Sequence, residues 1–291
     1  MNESRPLFAP PRILMCSPEY FGIEYEINPW MSRSRQADRQ LALLQWHGLA
    51  DMLESLGVMI ERLHPVAKLP DLVFTANAAL IFKKKAVLSH FKHPERQREE
   101  PFFHDWLTQH GFEVLRLPED HFFEGAGDAL FVGDTLYAGY RIRSDVRSEQ
   151  LIAAWLGCRV LAVELVDPYF YHLDTCFCPL STDSAIFYPG AFDTYGIEVL
   201  QSSIPLLIPV REEEARAFAC NAVVVGKHVI TNTGAPQLQR DLRNAGFTPH
   251  ETPLSEFVKA GGSAKCLTLR LDGENAAAWR ESPAISQPVS P

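Results

Sequence analysis

The chain has 291 residues, 46% of them hydrophobic and 22% charged, with a formal net charge of −9. Those values describe a globular protein of one large domain or two ordinary ones, and the acidic balance argues against a nucleic-acid surface. No apolar run approaches the roughly 18 residues of a membrane span, and "MNESRPLFAPPRILMC" lacks the basic start and apolar core of a secretory signal. No membrane or nucleic-acid partner is therefore expected. The cysteines Cys16, Cys158, Cys176, Cys178, Cys220 and Cys266 show no double CxxC zinc spacing. Reduced core thiols and a cytoplasmic setting are expected from them.

In chain order, "RILMCSP" reads as a strand. A helix is expected in "RQADRQLALLQWHGLADMLESLG", stopped by the glycine after "ESL". "NAALIFKKKAVLSHF" has the form of a hairpin: a small or polar lead-in, an apolar strand, a short polar turn and a second apolar strand. The charged stretch "FKKKAVLSHFKHPERQREE" is expected to be mostly a solvated turn and helix start. "GDALFVGDTLYAGY", "LDTCFCPLSTDSAIFYP" and "NAVVVGKHVITNTG" repeat the hairpin. Helices are expected in "RSEQLIAAWLGC" and "PQLQRDLRNAG". The last segment, "KCLTLRL", has one strand only, so its partner is expected to be the N-terminal "RILMCSP". Residues 1–275 are expected to form a single domain, with a Pro- and Ser-rich disordered tail over 276–291.

The residues leading the five units, Asn77, Asp128, Asp174, Asn221 and Cys266, are separated by 51, 46, 47 and 45 positions. Near-equal spacing of strands and helices is the mark of a repeat architecture. An α/β fold of five ββαβ-type repeats is expected, arranged radially as a five-bladed propeller around a central channel. The leading residue of each inner strand would then face the channel. Four short polar groups and a thiol make a poor core and a good site.

His172 stands two residues before Asp174 in "YHLDT", on the same side if the segment is a strand. A thiol, an imidazole and carboxylates are the apparatus of covalent catalysis. "FFEGAGDALF" adds Glu124 beside Asp128, with glycines that let the backbone approach closely. Buried carboxylates need a cation, and a planar guanidinium, with its fork of donors, satisfies them and favours an adjacent thiolate. No metal site is expected from this mixed donor set.

"HLDT", "GGSAKCLTL" and "EGAGDALF" together resemble the guanidine-modifying enzymes of the pentein fold, a likeness running from "ILMCSPEYFGIEYEINPWM" to "KCLTLRL". The resemblance implies a five-bladed α/β propeller with no metal or organic cofactor and a small guanidino substrate, with a homo-oligomer left open. It implies Cys266 as nucleophile, His172 as general acid and base, and Glu124 as the residue orienting the guanidinium with His172. Asp174 corresponds to a second guanidinium contact and Asp71 to a position near the substrate α-amino group. Arg96 and Arg143 fall where relatives bind the α-carboxylate.

Deiminases carry a carboxylate after "FT", whereas "FTANAA" places Asn77 there. With Asn28 in "INPWM", this resembles the arginine dihydrolase branch, which takes arginine to ornithine, ammonia and carbon dioxide. An amide donates as well as accepts hydrogen bonds, so Asn77 would retain citrulline for a second attack where a carboxylate releases it. The alternatives are hydrolysis of a methylated arginine to citrulline and methylamines, arginine deimination, and amidino transfer. Ribosome-associated factors share the ring without catalysis, but they are expected to lack the cysteine, histidine and carboxylate set.

Overall fold

The structure, a computed structural model, describes residues 10–274, so the expected tail at 276–291 lies outside the described residues. Its strands form five three-stranded sheets. In the second unit Ala79–Phe82 pairs antiparallel with Lys85–Leu88, which pairs parallel with Glu113–Leu115. The third unit repeats this with Ala129–Val132, Thr135–Tyr140 and Arg159–Glu164. The fourth uses Phe177–Pro179, Ser184–Phe187 and Leu206–Pro209, and the fifth Val223–Val225, His228–Asn232 and Thr248–Thr252. The first sheet is assembled from both ends of the chain: Arg12–Cys16 pairs antiparallel with Leu269–Arg270 and parallel with Met59–Leu63. The lone final strand thus finds the expected N-terminal partner.

Parallel neighbours need a crossover, and each unit supplies a helix for it. These are Arg39–Ser55, Glu100–Gln109, Val146–Leu156, Thr194–Ser203 and Pro236–Asn244. The first is capped by Asp38, whose carboxylate accepts from the Gln40 and Leu41 amides, and it buries Ala42, Trp46, Leu49 and Leu53 along one stripe. Gly57, Gly157 and Gly246, read as helix stops, all have positive φ, at 83°, 63° and 87°. The helix at 194–203 carried no distinct signal in the sequence, and that at 100–109 only the helix start expected at the end of the charged stretch.

Strands of the sheets such as Ala129–Val132, Ser184–Phe187 and Val223–Val225 are buried throughout, which is why they read as continuous apolar runs rather than alternations. Ile13 and Met15 pack with Trp46 and Leu49, while Leu14 and Cys16 pack with Phe103 and Leu107 on the other side.

The five leading residues do not begin strands. They lie in short turns just before them: Asn77 in Thr75–Ala78, Asp128 after Gly125–Gly127 and Asp174 in Leu173–Thr175. The strand alternation that would put His172 and Asp174 on one side is therefore absent, because Asp174 sits in a turn. The turns are laced to one another around a circle. The Asn77 amide donates to the Glu124 carbonyl at 3.3 Å, and the Leu173 amide to Asp128 Oδ1 at 3.0 Å. The Asn221 amide donates to the Asp174 carbonyl at 2.9 Å, the Cys266 amide to Asn221 Oδ1 at 3.2 Å, and the Ala76 amide to the Cys266 carbonyl at 3.1 Å.

Candidate active site

Every leading side chain is buried, from Asp174 and Asn221 at 0% exposure to Asn77 and Cys266 at 2%. Packing of this kind obliges each polar group to find a partner.

Around the thiol, Asn221 Nδ2 donates to Cys266 Sγ at 3.1 Å and Sγ donates to Asp174 Oδ2 at 3.4 Å. Burial, then the Asp174 carboxylate, pushes the Cys266 thiol well above its usual range. Burial also raises Asp174, to about 7, against the opposing pull of the Lys265 ammonium. Burial and the neighbouring carboxylate thus leave the thiol poorly disposed to ionise.

Around the imidazole, His172 Nε2 lies 2.6 Å from Glu124 Oε2, and Arg143 Nη1 donates to the same oxygen at 3.0 Å. Burial alone would raise Glu124, but the Arg143 guanidinium and His172 outweigh it and hold this carboxyl well below the ordinary range. Glu124 is thus a fixed anion that orients His172. Asp128 accepts from Ser144 Oγ at 2.5 Å, and burial lifts it to about 6. It braces the two turns that carry Glu124 and His172.

Cys266, Asn28, Asp71, Asn77, Arg96 and Arg143 are among the residues lining a pocket of about 260 Å³ that is partly open to solvent. Asn28 accepts from the Trp30 amide at 2.9 Å and donates to the Ala260 carbonyl at 3.1 Å. Arg143 lies over the Tyr171 ring at 4.6 Å and donates to the Ile27 carbonyl at 2.9 Å. Eight buried side-chain atoms have no hydrogen-bond partner among the described residues, and Asp71 Oδ1, His172 Nδ1 and Asp174 Oδ1 are three of them.

The charged stretch is, as expected, an exposed turn at Lys83 and Lys84 and the starts of the helices at Pro94–Gln97 and Glu100–Gln109. Two of its charges are exceptions: Arg96 and Glu99 are 3% and 0% exposed and joined through two hydrogen bonds of 3.0 and 2.8 Å. Arg96 Nη1 also donates to Asn77 Oδ1 at 2.8 Å, and that bond fixes which way the amide faces. The charges sit inside because they neutralise one another, a pairing that composition does not reveal.

The "GAG" and "GG" glycines admit close approach. A Cβ on Gly127 would meet Asn77 Nδ2 at 2.2 Å, and one on Gly262 would meet the Phe74 ring at 2.4 Å. Sequence reasoning assigned no role to Asn221 or Tyr171. The repeat spacing did mark Asn221 as a leading residue, whereas nothing local marks Tyr171.

Chains that carry this chemistry on this fold make up the pentein superfamily of guanidine-modifying enzymes, and this chain lies near the arginine dihydrolase branch. More narrowly, it belongs to the N,N dimethylarginine dimethylhydrolase family, whose eukaryotic form matches residues 17–272. It is 47% identical over 265 residues to the bifunctional arginine dihydrolase/ornithine cyclodeaminase ArgZ of Synechocystis, covering 89% of this chain and 37% of that protein. The chain therefore spans little more than a third of that relative. It is 40% identical over 260 residues to the N(G),N(G)-dimethylarginine dimethylaminohydrolase of Mycobacterium tuberculosis, covering 89% of this chain and 85% of that one. The solved N-terminal domain of ArgZ, a cyanobacterial arginine dihydrolase bound to substrate, is similar with a TM-score of 0.88. It is 46% identical over 90% of this chain and 98% of that domain. No helix among the described residues is long and apolar enough to cross a membrane.

Proposed function

We propose that this chain is an arginine dihydrolase that works through Cys266. The observation that carries the reading is the pocket lined by both Cys266 and Asn77, with the Asp174 carboxylate 3.4 Å from the sulfur and an amide where an acid would otherwise stand. The 47% identity to ArgZ supports the same reading.

The lacing of the five leading turns supports a five-bladed propeller with the site at its centre, and residues 10–274 as one catalytic domain. Six unpaired cysteines, five of them buried, support a reducing compartment, the cytoplasm. Asp71 Oδ1 is the acceptor proposed for the substrate ammonium, and Arg96 and Arg143 flank the position proposed for its carboxylate.

In the proposed cycle the guanidinium enters beside Asp174 and Glu124, and its charge offsets the burial that keeps Cys266 protonated. Cys266 gives its thiol proton to His172, the thiolate attacks the central carbon, the C–S bond forms, and ammonia leaves with that proton returned by His172. His172 then takes a proton from water, which adds to the thiouronium carbon; the C–S bond breaks and citrulline is formed. In the second round the thiolate attacks the ureido carbon and ornithine departs with a proton from His172. Water hydrolyses the carbamoyl thioester, and the resulting carbamate gives ammonia and carbon dioxide. General acid–base transfer by one side chain contributes about 10²–10⁴-fold.

Hydrolysis of a methylated arginine to citrulline is the second reading, favoured by the 40% identity to the mycobacterial enzyme. Mass spectrometry of products from guanidino-labelled arginine separates the two. Ornithine with two ammonia per arginine is expected; citrulline as the end product refutes dihydrolysis, and turnover of methylated arginines alone favours the second reading. Cys266→Ser is expected to abolish turnover while still binding arginine.

A further inference from the structure

We infer that Asn221 is the positioning residue for the nucleophile: its side-chain amide aims the Cys266 sulfur and stabilises it as a thiolate. The inference rests on the reading of Cys266 as nucleophile and adds to it a residue with no contact to the guanidine.

Asn221 is fully buried and held on every side. Its Nδ2 donates both to Cys266 Sγ at 3.1 Å and to the Asp174 carbonyl at 2.9 Å, while its Oδ1 accepts the Cys266 backbone N–H at 3.2 Å. Its backbone is fixed too, donating to the Phe218 carbonyl at 3.1 Å and accepting from the Lys265 amide at 3.3 Å. Turning the amide over would bring its NH₂ against the Cys266 N–H, so the orientation is determined. A donor, not an acceptor, therefore points at the sulfur.

The other side chain bonded to that sulfur is Asp174, which as an anion disfavours a thiolate. Asn221 works in the opposite sense without adding charge. A hydrogen bond to sulfur is strongest when sulfur is anionic and weakest when it is covalently bonded in the thiouronium adduct. The bond thus helps at two points: when the thiol ionises, and when the adduct collapses and sulfur departs with the electron pair. A two-round cycle passes through those points twice. In the repeat, Asn77 and Asn221 are equivalent leading amides, one placed on the substrate pocket and the other on the nucleophile.

The test is the pH dependence of Cys266 alkylation by iodoacetamide, followed by peptide mass spectrometry in the wild type, Asn221→Ala and Asn221→Ser. Losing a charge-assisted hydrogen bond to an anion should move the midpoint up by about one to two pH units. In parallel, kcat should fall roughly ten- to hundredfold, with KM for arginine changing far less. A midpoint that stays in place in either folded variant overturns the inference, because a merely structural residue would lower the melting temperature without moving it. Asn221→Ser retains a small polar side chain, so it carries the comparison if Asn221→Ala does not fold. The parent reading fails separately, on Cys266→Ser retaining turnover.

Discussion

Replacing Asn77 with aspartate exchanges one amide nitrogen for an oxygen at a position 2% exposed to solvent. Because Arg96 Nη1 already binds Oδ1 at 2.8 Å, the atom that changes is Nδ2, which lies 3.3 Å from the Glu124 carbonyl. In Asn77→Asp the new oxygen faces that carbonyl with no proton between them, while the Arg96 side gains an ion pair. A cationic guanidinium tolerates the added charge, so the first round should proceed within about tenfold of the wild-type rate. Citrulline is neutral and presents a carbonyl oxygen, so it loses a donor and meets an acceptor. A mismatch of this kind costs about 1–3 kcal/mol, or roughly ten- to hundredfold in retention of citrulline for the second attack. The assay is the ornithine-to-citrulline ratio from labelled arginine, and citrulline should become the main product. If a folded Asn77→Asp enzyme still releases mainly ornithine, the amide is not what commits citrulline to a second round.

Three further outcomes are expected. Burial lifts Asp174 to about 7, so below that pH it is neutral and attracts a guanidinium weakly. kcat/KM should therefore rise as pH climbs through about 7, and a profile flat from pH 5 to 8 would contradict this role for Asp174. Glu99→Ala leaves the Arg96 guanidinium buried without its two carboxylate bonds and should cost about 3–5 kcal/mol of stability in denaturant titration; a loss under 1 kcal/mol would mean that Asn77 and the Asp71 carbonyl, which accepts from Arg96 Nη2 at 3.2 Å, suffice. Gly127→Ala drives a methyl to 2.2 Å from Asn77 Nδ2, so the amide must turn away. The ornithine share should fall as in Asn77→Asp while the Arg96–Glu99 pair survives, and an unchanged product ratio would show that the loop yields instead.

Much of the architecture could be read along the chain. Two-residue turns whose first residue has positive φ, Lys83 at 56°, Gly133 at 57° and Gly226 at 65°, follow from short polar breaks between apolar runs. The union of Leu269–Arg270 with Arg12–Cys16 followed from an unpaired final strand. Candidate residues were legible for a related reason: polar groups recurring every 45 to 51 positions ahead of apolar strands make no sense as core. Within the charged segment at 82–100 the burial of Arg96 and Glu99 was not legible, because composition reports how many charges there are, not whether Arg96 meets Glu99. His172 and Asp174 were read as sharing one side of a strand, and a short turn placed Asp174 otherwise.

By itself the sequence determined the repeat, the helix stops and the kinds of atom available at the centre, because each is a local property of residue type and spacing. Only the tertiary structure decided which of those atoms meet. Asn221 reaches Cys266 from 45 positions away, and Arg96 reaches Asn77 from 19. Both meetings depend on how the turns between strands are aimed, and on which buried charges cancel. Local propensity encodes neither.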